Sequence, residues 1–98
     1  MRPVIVRVFA TLRQVIGSKT IEVARSDGTT IRHVLDEVVA RYPAMGAELF
    51  NDKGQLHNYV HVFVNGRDVR YLEHLLETPI REQDEVELFP AVGGGLVR

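Results

Sequence analysis

Cysteine is absent from this chain of 98 residues. That excludes a disulfide framework, a thiolate zinc site and a cysteine nucleophile. An excess of charge of one sign is also missing, because 12 basic and 13 acidic residues leave a formal charge of −1. Such a chain sets up no global field, so neither nucleic acid nor an anionic membrane is expected as a partner. No apolar run reaches the length of about 18 residues that would suggest a membrane-spanning helix. The opening "MRPVIVRVFA" goes straight into alternation and lacks the long apolar region and cleavage site of a secretory signal. These absences lead us to expect a cytoplasmic protein. What remains is an ordinary globular balance, 45% apolar and 26% charged. The length suits one domain that buries roughly 60–65% of its unfolded surface.

Groups suited to catalysis are scarce as well. Ser18 and Ser26 fall in turns with no nucleophile-elbow context. Asp84, Glu85 and Glu87 read as a turn and the outward side of a strand. His33, His57, His61 and His74 offer no third or fourth ligand at a metal-like spacing, so no metal site is expected. No trio of residues fits an active site, and an enzyme acting alone is not expected.

The elements are clearer. "VIVRVFA" (4–10) alternates and is β-branched, which predicts a strand with Val4, Val6 and Val8 on one face and Ile5, Arg7 and Phe9 on the other. "TLRQVIG" predicts a helical turn stopped at Gly17. "KTIEVA" (19–24) predicts a second strand, antiparallel to the first, with Ile21 and Val23 inward. Ile31, Val34, Leu35, Val38, Val39 and Tyr42 mark one face of an amphipathic helix, capped by Thr29 or Thr30 and ended by Pro43. "AMGAELF" suggests a further helical turn. "NYVHVFVNGRDV" (58–69) predicts a third strand with Val60, Val62 and Val64 inward, running into an Asn65-Gly66 hairpin turn. "VRYLEHLLETPI" has no clear period, and we expect a short edge strand and a turn. "EVELFP" (85–90) predicts the last strand, with Val86 and Leu88 inward and Pro90 at its end. One helix over one mixed sheet of four to five strands, with the first and last strands parallel at the centre, is an α+β β-grasp (ubiquitin-like) roll.

Two features point to function. If the helix takes the valine face, the other face carries Ile5, Phe9, Phe63 and Phe89 with Arg7 and His61 among them. A patch of this kind marks a protein interface, unless loops cover it or the face assignment is off by one residue. The second feature is "FPAVGGGLVR" (89–98), a glycine run directly behind a strand and a proline. A glycine run is thin and flexible, and it fits a channel too narrow for side chains. It would make an arm whose carboxylate is delivered to another protein's active site; a frayed end is the plain alternative. The expected division is a domain over 1–92 and a tail over 93–98.

Three stretches, "FATLRQVIGSKTIEV", "VFVNGRDV" and "LETPIREQDEVELFPAVGGG", occur together in an order and spacing that resemble the ubiquitin-like sulfur carriers (the MoaD/ThiS family). The resemblance covers nearly the whole chain. The segment "LHNYVHVFVNGRDVRYLEHL" is more similar to the cysteine-biosynthesis carriers and archaeal small modifiers than to the thiamine carriers. The resemblance implies that Gly94-Gly95 is the functional pair and that Gly93, Val92 and Pro90 form the tail leading to it. It implies no bound cofactor. An ATP- and Mg²⁺-using E1-like enzyme would adenylate the Gly95 carboxylate, and sulfide or a persulfide would displace AMP to leave a thiocarboxylate. The acceptor would be an enzyme such as the large subunit of molybdopterin synthase or one of the cysteine synthase type. The partner interface would be Phe9, Phe63, Phe89, Ile5 and Arg7. The family's active form ends at the second glycine, whereas Leu96-Val97-Arg98 follows here. Removal by a zinc-dependent (JAMM-type) peptidase is the leading explanation; a vestigial carrier or cloning-derived residues are the others. Conjugation of Gly95 to lysines, as a protein modifier, and a plain interaction domain with an inert tail are the alternative functions.

Overall fold

The alternation at the N-terminus becomes β1, Val4–Val8, whose three valines are buried while Ile5 and Arg7 face outward. The computed structural model describes residues 3–90. Helix α1 (Thr11–Ile16) follows at once and ends on Gly17, whose φ of 72° needs the left-handed freedom of glycine. Strand β2 (Thr20–Val23) returns antiparallel to β1, with Ile21 and Val23 inward. The long amphipathic segment forms α2, Ile31–Arg41, with Ile31, Val34, Leu35 and Val38 buried; Val39 and Tyr42 pack half-buried at its edge. Pro43 ends it and opens α3 (Ala44–Leu49).

Three further strands complete a five-stranded sheet ordered β2-β1-β5-β3-β4. They are β3 (His61–Val64), β4 (Arg67–Asp68) and β5 (Val86–Phe89). β5 runs parallel to β1 and antiparallel to β3, so the first and last strands lie at the centre as expected. The inward side chains of the sheet and the apolar faces of the helices make one continuous core, including Leu12, Leu35, Met45, Leu49, Val62 and Leu88. This is the expected β-grasp roll. Asn65 and Gly66 turn the β3–β4 hairpin with φ of 54° and 82°, the pair of positive values that selects Asn-Gly for a tight hairpin. Asn65 also bonds the loop before β5: its Nδ2 donates to Asp84 Oδ1 (2.8 Å) and its Oδ1 accepts from Glu85 N (3.0 Å).

Several ends differ from the sequence expectation. β1 stops at Val8 because Ala10, at φ 53°, turns the chain into α1, where Arg13 Nε takes up the Val8 carbonyl at 2.8 Å. The expected 58–69 strand is two short strands around the turn. The edge strand foreseen within 69–80 falls earlier, at Arg67–Asp68. The segment itself forms 3-10 turns at Val69–Tyr71 and Leu75–Glu77. Val69 is buried and Leu72 and Leu76 pack half-buried on the core, three- and four-residue spacings that a tight turn satisfies and a strand does not. Backbone bonds from Ile31 N to Thr78 O (3.0 Å) and from Ile80 N to Thr29 O (2.8 Å) tie its far end to the start of α2.

Candidate partner-docking face

Opposite the helices, the outward positions of the three central strands converge. In register, Arg7 of β1 and Phe63 of β3 both stand beside Glu87 of β5, and His61 stands beside Phe89. Phe9 lies one step beyond β1, but its N–H still bonds Leu88 O (3.2 Å), which keeps it on the sheet. Its ring stacks on Phe89 with centroids 4.3 Å apart and planes 8° apart. Phe63 meets Phe89 edge-on at 5.3 Å and 90°. Each such pair contributes about 0.5–1.5 kcal/mol beyond the area it buries. The three rings are half-buried, and Ile5 is 37% exposed farther along β1. The face assignment from alternation is therefore correct, and no loop within the described residues buries the rings.

Charge is arranged around the cluster. The Arg13 guanidinium lies 5.1 Å from the centre of the Phe9 ring, a cation–π contact fixed by its bond to the Val8 carbonyl. Ile5, Arg7, Phe9, Arg13, Lys19 and Thr20 line one shallow depression, making the β1–β2 side basic. On the other side, β5 presents Glu87 outward, with Glu85 exposed just before the strand. Pro90 is buried directly after Phe89, so the chain leaves the sheet from a fixed root beside the rings.

Of the residues singled out from sequence, Phe9, Phe63 and Phe89 come together; Ile5 and Arg7 share their face without joining the ring cluster. Val92, Gly93, Gly94 and Gly95 lie outside the described residues, as does the boundary between 1–92 and 93–98. Sequence reading did not include Arg13, whose role depends on the turn at Ala10. Nor did it foresee that His61 Nδ1 lies 3.2 Å from Asp68 Oδ2 across the hairpin.

The other polar groups serve structure. His33 is exposed, as its place off the apolar face suggested, but it also completes the cap of α2. Its Nδ1 accepts from Thr30 N and its own N–H donates to Thr30 Oγ1, both at 3.2 Å. His57 bonds Ala47 O at 3.0 Å and stacks on Tyr59. His74 lies 3.6 Å from Glu73. Among the described residues, no three His, Asp or Glu side chains gather as metal ligands, and no helix is long and apolar enough to cross a membrane.

A platform of rings at the root of a glycine-rich segment suits binding and presentation rather than catalysis. The ThiS family model matches residues 6–95. The chain belongs to the ThiS family. Small archaeal modifier protein 3 of Haloferax volcanii is 37% identical over 91% of this chain and 95% of its own length. Sulfur carrier protein CysO of Mycobacterium tuberculosis is 33% identical over 81% and 83%. Among solved structures, SAMP1 from Haloferax volcanii superposes with a TM-score of 0.84 at 32% identity, covering 95% of this chain and 99% of its own. The Amycolatopsis orientalis BexX/CysO complex provides a second match, TM-score 0.77 at 32% identity over 94% and 99%. This ThiS-family chain thus stands among ubiquitin-like sulfur carriers and modifiers, which are small carrier or modifier proteins and not catalysts.

Proposed function

We propose that the chain is a protein co-substrate that carries sulfur on Gly95, once residues 96–98 have been removed. The domain, residues 1–92, is what the partners recognise, and residues 93–98 are the arm they act on. In the first step the Gly95 carboxylate attacks the α-phosphate of ATP on an E1-like activating enzyme, and pyrophosphate leaves. The enzyme supplies the catalytic groups and Mg²⁺. Joining the carboxylate to AMP turns a poor electrophile into a good one; sulfide then attacks the carbonyl carbon, AMP departs, and a thiocarboxylate remains. That sulfur passes to an acceptor enzyme, of the molybdopterin synthase large-subunit type or the cysteine synthase type. A JAMM-type zinc peptidase is the proposed agent of trimming, and the cytoplasm the proposed place.

The observation that carries this reading is the stacked Phe9–Phe89–Phe63 face ending at buried Pro90. A partner covering the rings receives the segment beyond Pro90 as a matter of geometry. A second reading, conjugation of Gly95 to lysines of other proteins, is favoured by the 37% identity to an archaeal modifier. The two share the adenylation step.

Intact mass of the protein isolated from its native host tests both. Loss of Leu96-Val97-Arg98 with one oxygen replaced by sulfur is the expected result. A mass ending at Arg98 in sulfur-replete, active cells would refute the carrier reading. Gly95 isopeptide adducts in the same cells would establish the modifier reading.

A further inference from the structure

The aromatic cluster offers area but little direction, since ring contacts tolerate sliding. One polar group on the face is held in a fixed orientation. His61 opens β3 beside Phe89, its ring 6.2 Å from Phe63, and its side chain is 49% exposed. Its Nδ1 is 3.2 Å from Asp68 Oδ2. Asp68 is itself fixed: its side chain is only 13% exposed, and its Oδ1 accepts from Arg70 N at 2.8 Å. The Arg70 guanidinium lies 3.8 Å from the same oxygen and is anchored to the carbonyls of Val60 (2.9 Å) and His57 (2.8 Å). An ionised carboxylate only accepts, so the hydrogen-bond network assigns the imidazole proton to Nδ1. In the neutral ring Nε2 is then an acceptor, and it has no hydrogen-bond partner among the described residues.

We propose that His61 is a specificity-determining contact for the activating enzyme, its Nε2 accepting a hydrogen bond from an N–H or O–H group of that enzyme, and that Asp68 is the positioning residue that keeps Nε2 an acceptor. The inference rests on the docking face proposed above. The occupant follows from where the described chain ends: Pro90 comes directly after the residue opposite His61, so the protein that takes the tail covers this ring. Covering it removes Nε2 from water, and a buried acceptor left unpaired is costly. The face therefore discriminates against any surface that offers apolar groups without a donor at this point. It also sets one register for the rings, as a directional bond does and stacking does not.

The test measures binding of the chain to the host's E1-like enzyme by titration calorimetry. His61→Phe keeps the ring area and removes the acceptor; we expect affinity to fall about ten- to a hundredfold. His61→Gln, whose amide places a polar group near the Nε2 position, is expected to recover most of the loss. Binding of His61→Phe at wild-type strength, or of His61→Gln as weakly as His61→Phe, would overturn the proposal. Phe89→Asp in the same series separates the two readings. If it loses binding while His61→Phe does not, the docking face stands and the His61 contact falls; if both bind normally, both fall. Asp68→Asn tests positioning through ¹⁵N spectra of the imidazole. The asparagine amide can donate to Nδ1 and release the proton to Nε2. That change of tautomer with weaker binding is expected, and an unchanged tautomer would overturn the role of Asp68.

Discussion

Place an aspartate at Leu35 and, in a separate protein, at Phe89. The two sites lie on opposite sides of the sheet and differ in what the new carboxylate meets. Leu35 is fully buried in α2 against the sheet. Truncating such a residue costs about 2–5 kcal/mol. An unpaired carboxylate in that place adds several kcal/mol more, whether it stays ionised or takes up a proton. The sum rivals the whole stability of a domain, about 5–15 kcal/mol. Phe89 is half-buried and loses two ring contacts, about 1–3 kcal/mol together, while its carboxylate reaches water. For a domain of this length that corresponds to a fall in Tm of roughly 5–20 °C. Circular dichroism with thermal melts, backed by amide spectra, reads both. Leu35→Asp is expected to be unfolded; Phe89→Asp is expected to be folded, less stable and unable to bind the activating enzyme. A folded Leu35→Asp would refute the register of α2. An unfolded Phe89→Asp would show that the aromatic cluster belongs to the core, and the docking reading would lose its surface.

Gly95→Ala in a chain ending at residue 95 is expected to impair adenylation and sulfur transfer by crowding a narrow channel; full activity in a thiocarboxylate assay would count against a threaded tail. Thr30→Ala removes half of the capping box at α2 and is expected to cost about 1 kcal/mol in urea unfolding; no change would mean that the cap contributes nothing. Arg70→Ala leaves the carbonyls of Val60 and His57 without their guanidinium partner. We expect a loss of about 1–3 kcal/mol and faster amide exchange around residues 57–60, with unaltered exchange contradicting the clamp.

The strands and α2 were legible because burial imposes a period. Val4, Val6 and Val8, or Ile31, Val34, Leu35 and Val38, repeat every two or every three to four residues whatever the rest of the chain does. The same alternation put Phe9, Phe63 and Phe89 on one face before any coordinates. The 69–80 segment was not legible. Its turns follow from anchors at Val69, Leu72 and Leu76 and from Leu75 at φ 51°, a conformation that leucine gives no sign of adopting. The polar details were hidden for a related reason. Arg13 reaches Phe9 only because Ala10 turns the chain, and His61 meets Asp68 only across the completed hairpin. Such contacts belong to the assembled geometry. His33 was readable in principle, since it stands three residues after Thr30, but histidine there is not the usual Glu or Gln.

The placement of β5 has a mechanical consequence. Any force on the segment beyond Pro90 is delivered to a central strand, bonded on one side to β1 and on the other to β3. Because β1 and β5 are parallel and adjacent, tension between the two ends of the chain loads their ladder in shear, with its hydrogen bonds sharing the strain instead of opening one after another. An arm rooted this way can be gripped by one enzyme after another while the body that identifies it stays folded. A machine that unfolds proteins by pulling on the C-terminal end would find this domain harder to start than one whose last strand lay at an edge.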